Sequence, residues 1–98
     1  MENKETMIAL SADPQDQEDF DVSVGGVQRG LMGRQIRGLR NRLGLSQEAF
    51  AKTYGIPLAN IRQYEIGRHM PPPAVRAYLA VIEAEPERTA KALAQRAA

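Results

Sequence analysis

Three glycines, Gly44, Gly55 and Gly67, each follow a short run of helical periodicity and cut the middle of the chain into pieces too short to stand alone. Isolated helices below roughly 12–15 residues are marginal in water, so such pieces must bury an apolar face against one another. From Arg34 the apolar residues Ile36, Leu39 and Leu43 recur at helical spacing among Arg37, Arg40, Asn41 and Arg42. Gly44 stops that helix. Ser46 is a good N-cap for a second one, with Glu48 in the first turn and Ala49, Phe50, Thr53 and Tyr54 on one face. Gly55 ends it, Pro57 opens a third over Leu58 to Ile66, and Gly67 closes that.

Met70-Pro71-Pro72-Pro73 cannot be helix interior, because proline lacks an amide hydrogen and biases the residue before it towards extended backbone. Ala74 to Ala84 resumes a stripe of Val75, Tyr78, Leu79 and Ile82. Pro86 then starts a last helix with Ala90, Leu93, Ala94 and Ala97 on one side. The prediction is an all-α fold of five helices with no strand. Val75, Tyr78, Leu79 and Ile82 exceed what a three-helix core can cover, so the fourth and fifth helices are expected to pair across a two-fold axis.

Charge is divided sharply along the chain. Met1 to Asp21 holds seven acids against Lys4, a net −6, whereas Val22 to Ala98 holds twelve Lys and Arg against five Glu, a net +7. An acidic, Pro-interrupted head without periodicity buries too little apolar area to offset its ordering entropy, so residues 1–29 are read as a disordered acidic segment ending in a hinge at Gly25-Gly26. Residues 30–98 form the folded domain. Met7, Ile8, Leu10, Phe20 and Val22 are apolar groups that a solubilising tail does not need; they suit a segment that folds on a protein partner, while a solvated leader without a partner is the alternative.

Several classes are excluded. There is no Cys, so neither a disulfide framework nor thiolate metal ligation is available, and a reducing cytoplasm is the expected compartment. No apolar run approaches the roughly 18 residues of a membrane span. His69, the single His, has no nucleophile or carboxylate beside it in sequence, the acids of the head lack the spacing and central Gly of a calcium loop, and Gly25 to Gly30 lacks the Lys-Ser/Thr of a phosphate loop. No enzymatic activity, cofactor or metal is expected.

Short helix, glycine turn, second helix of about ten residues is the layout that presents a recognition helix to the DNA major groove. The residues sharpen it: Leu39-Arg40, then Leu43-Gly44-Leu45-Ser46-Gln47, Phe50-Ala51, Gly55-Ile56, Ile61, Gln63-Tyr64-Glu65, Gly67-Arg68 and Pro71. From about Arg34 to Pro73 this string resembles the phage-repressor/Cro type of helix-turn-helix domain, the Xre family. Ile61-Arg62-Gln63-Tyr64-Glu65, with Ala77, Leu79, Val81-Ile82-Glu83, Pro86-Glu87 and Ala92-Leu93 following, looks like the HigA-type antitoxins of bacterial toxin–antitoxin pairs. That resemblance implies a homodimer that represses its own operon and neutralises a small toxin, usually a RelE/HigB-fold mRNA endonuclease. The toxin contact would fall to the apolar residues of the head.

The resemblance also assigns DNA contacts. Gln47 maps onto a position whose amide meets phosphate and a base edge, and Leu58, Ala59, Asn60, Arg62 and Gln63 occupy the recognition helix. Asn and Gln pair bidentately with adenine and Arg with guanine, while Ala59 and Leu58 suit a thymine methyl, Leu58 equally suiting domain packing. Arg34, Arg37, Arg42 and Arg68 are candidates for phosphate. Arg40 and Glu65 are expected to form a partly buried ion pair with a structural role. A stand-alone phage or prophage regulator with an idle head, and a protein-interaction module that never touches DNA, remain the competing readings.

Overall fold

The computed structural model describes residues 23–97, which form five helices: α1 Val24–Arg42, α2 Gln47–Tyr54, α3 Leu58–Glu65, α4 Pro73–Ala84 and α5 Pro86–Ala97. No strand occurs among the described residues. The proposed partner-binding residues Met7, Ile8, Leu10, Phe20 and Val22 lie outside them.

The first helix begins ten residues earlier than its apolar periodicity suggests. Ser23 supplies the start: its side chain accepts a hydrogen bond from the Gly26 amide at 3.0 Å. Gly25 and Gly26, expected to be a hinge, are therefore the first turn of α1. Each helical glycine costs about 1 kcal/mol relative to Ala, which a purely local reading counts against a helix here. Packing overrides it. Gly26, Gly30 and Gly33 recur at i, i+4 and i+7, and Gly33 is buried where the α1 backbone meets the end of α3. A Cβ at Gly33 would lie 2.5 Å from the carbonyl oxygen of Tyr64 and 2.6 Å from that of Glu65. On the same side the Arg29 Nε donates to the Gly67 carbonyl at 2.9 Å.

The turns follow their sequence signals. Gly44, Gly55 and Gly67 adopt φ of 71°, 72° and 80°, the left-handed region where an L side chain is strained. Ser46 caps α2 by accepting from the Ala49 amide at 3.0 Å. Buried side chains from four helices and one turn meet in a single core: Ile36 and Leu39, Phe50 and Tyr54, Ile56, Ile61 and Tyr64, Leu79 and Ile82. The Phe50 and Tyr54 rings sit with centroids 5.0 Å apart.

Helices α4 and α5 lock onto the end of α2 through two phenols. The Tyr78 hydroxyl donates to the Tyr54 carbonyl at 2.6 Å, and the Tyr54 hydroxyl to the Pro86 carbonyl at 3.0 Å. Burial pushes both phenols above their ordinary pKa, so they remain protonated donors throughout the neutral range. This packing corrects the premise of the expected two-fold contact. Ile82 is fully buried and Leu79 nearly so within their own chain, while Val75 and Tyr78 pack against the same core and stay partly exposed. The core extends to a fourth helix, which the three-helix count left out.

Candidate nucleic-acid interface

The start of α2 and the outer face of α3 are held together by one carboxylate. Glu65 ends α3, and its side chain is 2 % exposed. The Arg40 guanidinium grips it from α1 as a fork, Nε to Oε2 at 2.8 Å and Nη2 to Oε1 at 3.0 Å, while the remaining Arg40 nitrogen donates to the Leu45 carbonyl at 3.0 Å. Gln47 Nε2, from the first turn of α2, donates to Glu65 Oε1 at 3.0 Å. Arg37 adds a hydrogen bond from Nη2 to the Glu65 backbone carbonyl at 3.0 Å. Three helices thus converge on one side chain. The expected Arg40–Glu65 pair is present.

Burial raises the Glu65 pKa, but the hydrogen bonds from Arg40 and Gln47 and the charges of Arg40 and Arg37 outweigh it, so the carboxyl titrates below its ordinary value of 4.5. Arg40 is correspondingly raised, chiefly by its hydrogen bond to Glu65. A carboxyl depressed on folding binds protons more tightly in the unfolded chain, so its contribution to stability is complete above the unfolded value and disappears as pH falls through the folded one. The thermal midpoint should therefore hold from pH 7 to about 5 and drop below about 4.5. In Glu65→Gln that acid-side drop should be shallower, which melts followed by circular dichroism at pH 3 to 7 would show.

Around this clasp the expected contact residues divide by surroundings. Ala59, Asn60 and Arg62 are exposed on α3, and Gln63 is half-buried beside them. Leu58 packs partly against the core, so of the two roles considered for it the structural one is occupied. Gln47 is half-buried with one amide hydrogen held by Glu65; an amide has a second hydrogen and a carbonyl oxygen to offer. Arg34 and Arg68 are exposed, on α1 and just after α3.

Three cations read as phosphate or base contacts have acidic or carbonyl partners within the chain. Arg37 is tied to the end of α3 as described. Arg42 Nη2 lies 3.1 Å from Glu83 Oε2 on α4, and Arg62 Nη2 lies 3.6 Å from Glu48 Oε2 on α2. Both pairs are more than half exposed, where an ion pair contributes about 0–1 kcal/mol to stability. Sequence reading missed Glu48 as a partner of Arg62, Gly33 as the point of closest helix approach, and the Arg29 bond to Gly67. The glycine spacing at 26, 30 and 33 was the available signal for the second.

Two short helices joined by Gly55-Ile56-Pro57, braced by a long α1, with polar side chains on the outer face of the second, define a helix-turn-helix unit. A family model described as a helix-turn-helix domain matches residues 31–96, roughly two thirds of the 98 residues, and the chain belongs to that family of DNA-binding domains. No curated protein and no solved structure matches the chain. No helix among the described residues is long and apolar enough to cross a membrane.

Proposed function

We propose that this chain is the antitoxin of a type II toxin–antitoxin pair, a cytoplasmic protein that represses its own operon through residues 30–98 and neutralises a small RelE/HigB-like mRNA endonuclease through its acidic head. The observation that carries this reading is the division of charge. Residues 23–98, of net +7, are joined to residues 1–22, of net −6, which hold Met7, Ile8, Leu10, Phe20 and Val22, the composition expected of a segment that orders on a basic protein partner. Repression would use Gln47, Ala59, Asn60, Arg62 and Gln63 at base edges and Arg34, Arg37, Arg42 and Arg68 at phosphates. A homodimer completes the reading, because one recognition helix covers only one half-site and two-fold related half-sites need two.

Coexpression with the neighbouring reading frame tests the toxin half. A small toxic protein should copurify with the full chain, and deleting residues 1–22 should abolish both copurification and growth rescue. Rescue by the truncated chain would make the head idle and leave the stand-alone regulator. Titration of duplexes from the chain's own upstream region tests the repressor half. Gln63→Ala should lose about 1–3 kcal/mol on the preferred duplex and relax one position, whereas Arg34→Ala should weaken all sequences alike and reduce the salt slope by about one unit. Equal affinity for all duplexes in both variants and the wild type would refute operator recognition, and sedimentation at micromolar protein would decide the homodimer.

A further inference from the structure

Glu48 is a carboxylate placed where a DNA-binding surface has least use for one. It stands in the first turn of α2, next to Gln47, with its side chain 67 % exposed and aimed across to α3. Its Oε2 lies 3.6 Å from Nη2 of Arg62, itself 54 % exposed on the face that holds Ala59 and Asn60. As a brace for the fold this pair has little value, since exposed ion pairs contribute little and α2 and α3 are already joined through Gln47 and Glu65. Against a polyanion the charge is adverse, because every phosphate near it is repelled. Beyond its favourable place at the positive end of the α2 dipole, a negative group there lowers general affinity, so whatever it adds to DNA binding comes through discrimination.

We propose that Glu48 is a specificity-setting residue of the DNA interface, acting by positioning the Arg62 guanidinium. The inference rests on the DNA-reading role of α3 proposed above. A free arginine on a recognition helix can turn to any of several phosphates and so adds affinity without sequence preference. Arginine reads guanine only when both N–H groups of its fork meet O6 and N7 together. A carboxylate beside Nη2 holds the guanidinium away from the backbone and leaves its other nitrogens directed at the base edge. Glu48 thus exchanges general attraction for selectivity, in the way repulsive elements do at other selective interfaces.

The test uses the full chain and a duplex selected by the wild-type protein from a randomised pool, with its single-base-pair variants and a scrambled duplex as competitors. Glu48→Gln keeps the shape of the side chain and removes its charge, and its thermal midpoint should match the wild type within a few degrees. It should bind the scrambled duplex about two- to fivefold tighter while its discrimination at one G·C pair falls by about two- to fivefold. Arg62→Ala should lose discrimination at the same pair, and the double variant should lose no more than Arg62→Ala alone. Glu48→Gln that retains the full preference, or losses that add in the double variant, would overturn the role of Glu48 while leaving DNA reading intact. A pool from which the wild type selects no sequence would overturn both.

Discussion

Replacing Arg40 by Ala should remove about 3 kcal/mol of folding stability, the low end of the 3–5 kcal/mol expected when a buried charge loses its partner. The Glu65 side chain is 2 % exposed and receives both arms of the Arg40 fork. Without Arg40 the carboxylate keeps the Gln47 amide at 3.0 Å and the Arg37 Nε at 3.8 Å, which is why the low end applies. A domain of this size has on the order of 4–11 kcal/mol in total, so the variant should keep about 1–8 kcal/mol and unfold at a clearly lower urea concentration. Arg40→Lys should fall between, since an ammonium supplies charge without the fork. Combining Arg40→Met with Glu65→Met should recover most of the loss, because the buried charge leaves with its partner. Urea titrations followed by circular dichroism measure all of these. An Arg40→Ala midpoint indistinguishable from wild type would mean the clasp has no structural role.

Glycine 33 should be nearly as sensitive, and with a sign opposite to its neighbour. Helix propensity alone favours Gly→Ala by about 1 kcal/mol at any exposed helix interior position. At Gly30 nothing lies within 4 Å of a new Cβ, so Gly30→Ala should stabilise by roughly 0.5–1 kcal/mol. At Gly33 the same Cβ meets two backbone carbonyl oxygens at 2.5 and 2.6 Å, and these cannot swing aside as a side chain would. Helix α1 would have to back away from α3, lengthening the Arg37 and Arg40 bonds to Glu65 at the same time. Gly33→Ala should therefore destabilise by about 2–3 kcal/mol in spite of propensity, and Gly33→Leu by more. Equal stability of the Gly30 and Gly33 alanine variants would show that the close approach is not maintained in solution.

These two sites mark where the sequence could and could not be read. Ser46, Gly44, Gly55, Pro57, Gly67 and Pro86 act locally, through capping and backbone conformation, and their helix boundaries came out close to the structure. The Arg40–Glu65 pair was legible through resemblance, because a matching motif fixes which charge faces which. The early start of α1 was not, since Gly25-Gly26 argues against a helix locally, and the Ser23 cap together with the packing of Gly33 against the end of α3 offsets that. The same holds for α4. Its stripe was correctly seen as apolar, but whether Leu79 and Ile82 face their own chain or another depends on how wide the core is, which spacing does not report. Glu48 and Arg62 lie fourteen residues apart on different helices, so their approach follows from the angle between α2 and α3.

The arrangement at Glu65 also governs how such a chain can diverge. Positions 40, 47 and 65 share one buried charge, so the cost of a change at any one of them depends on what stands at the other two. Ala59, Asn60 and Arg62 look outward and owe the core nothing. They can be exchanged one at a time without touching the clasp, so the outer face of α3 is free to vary while the scaffold that presents it stands still.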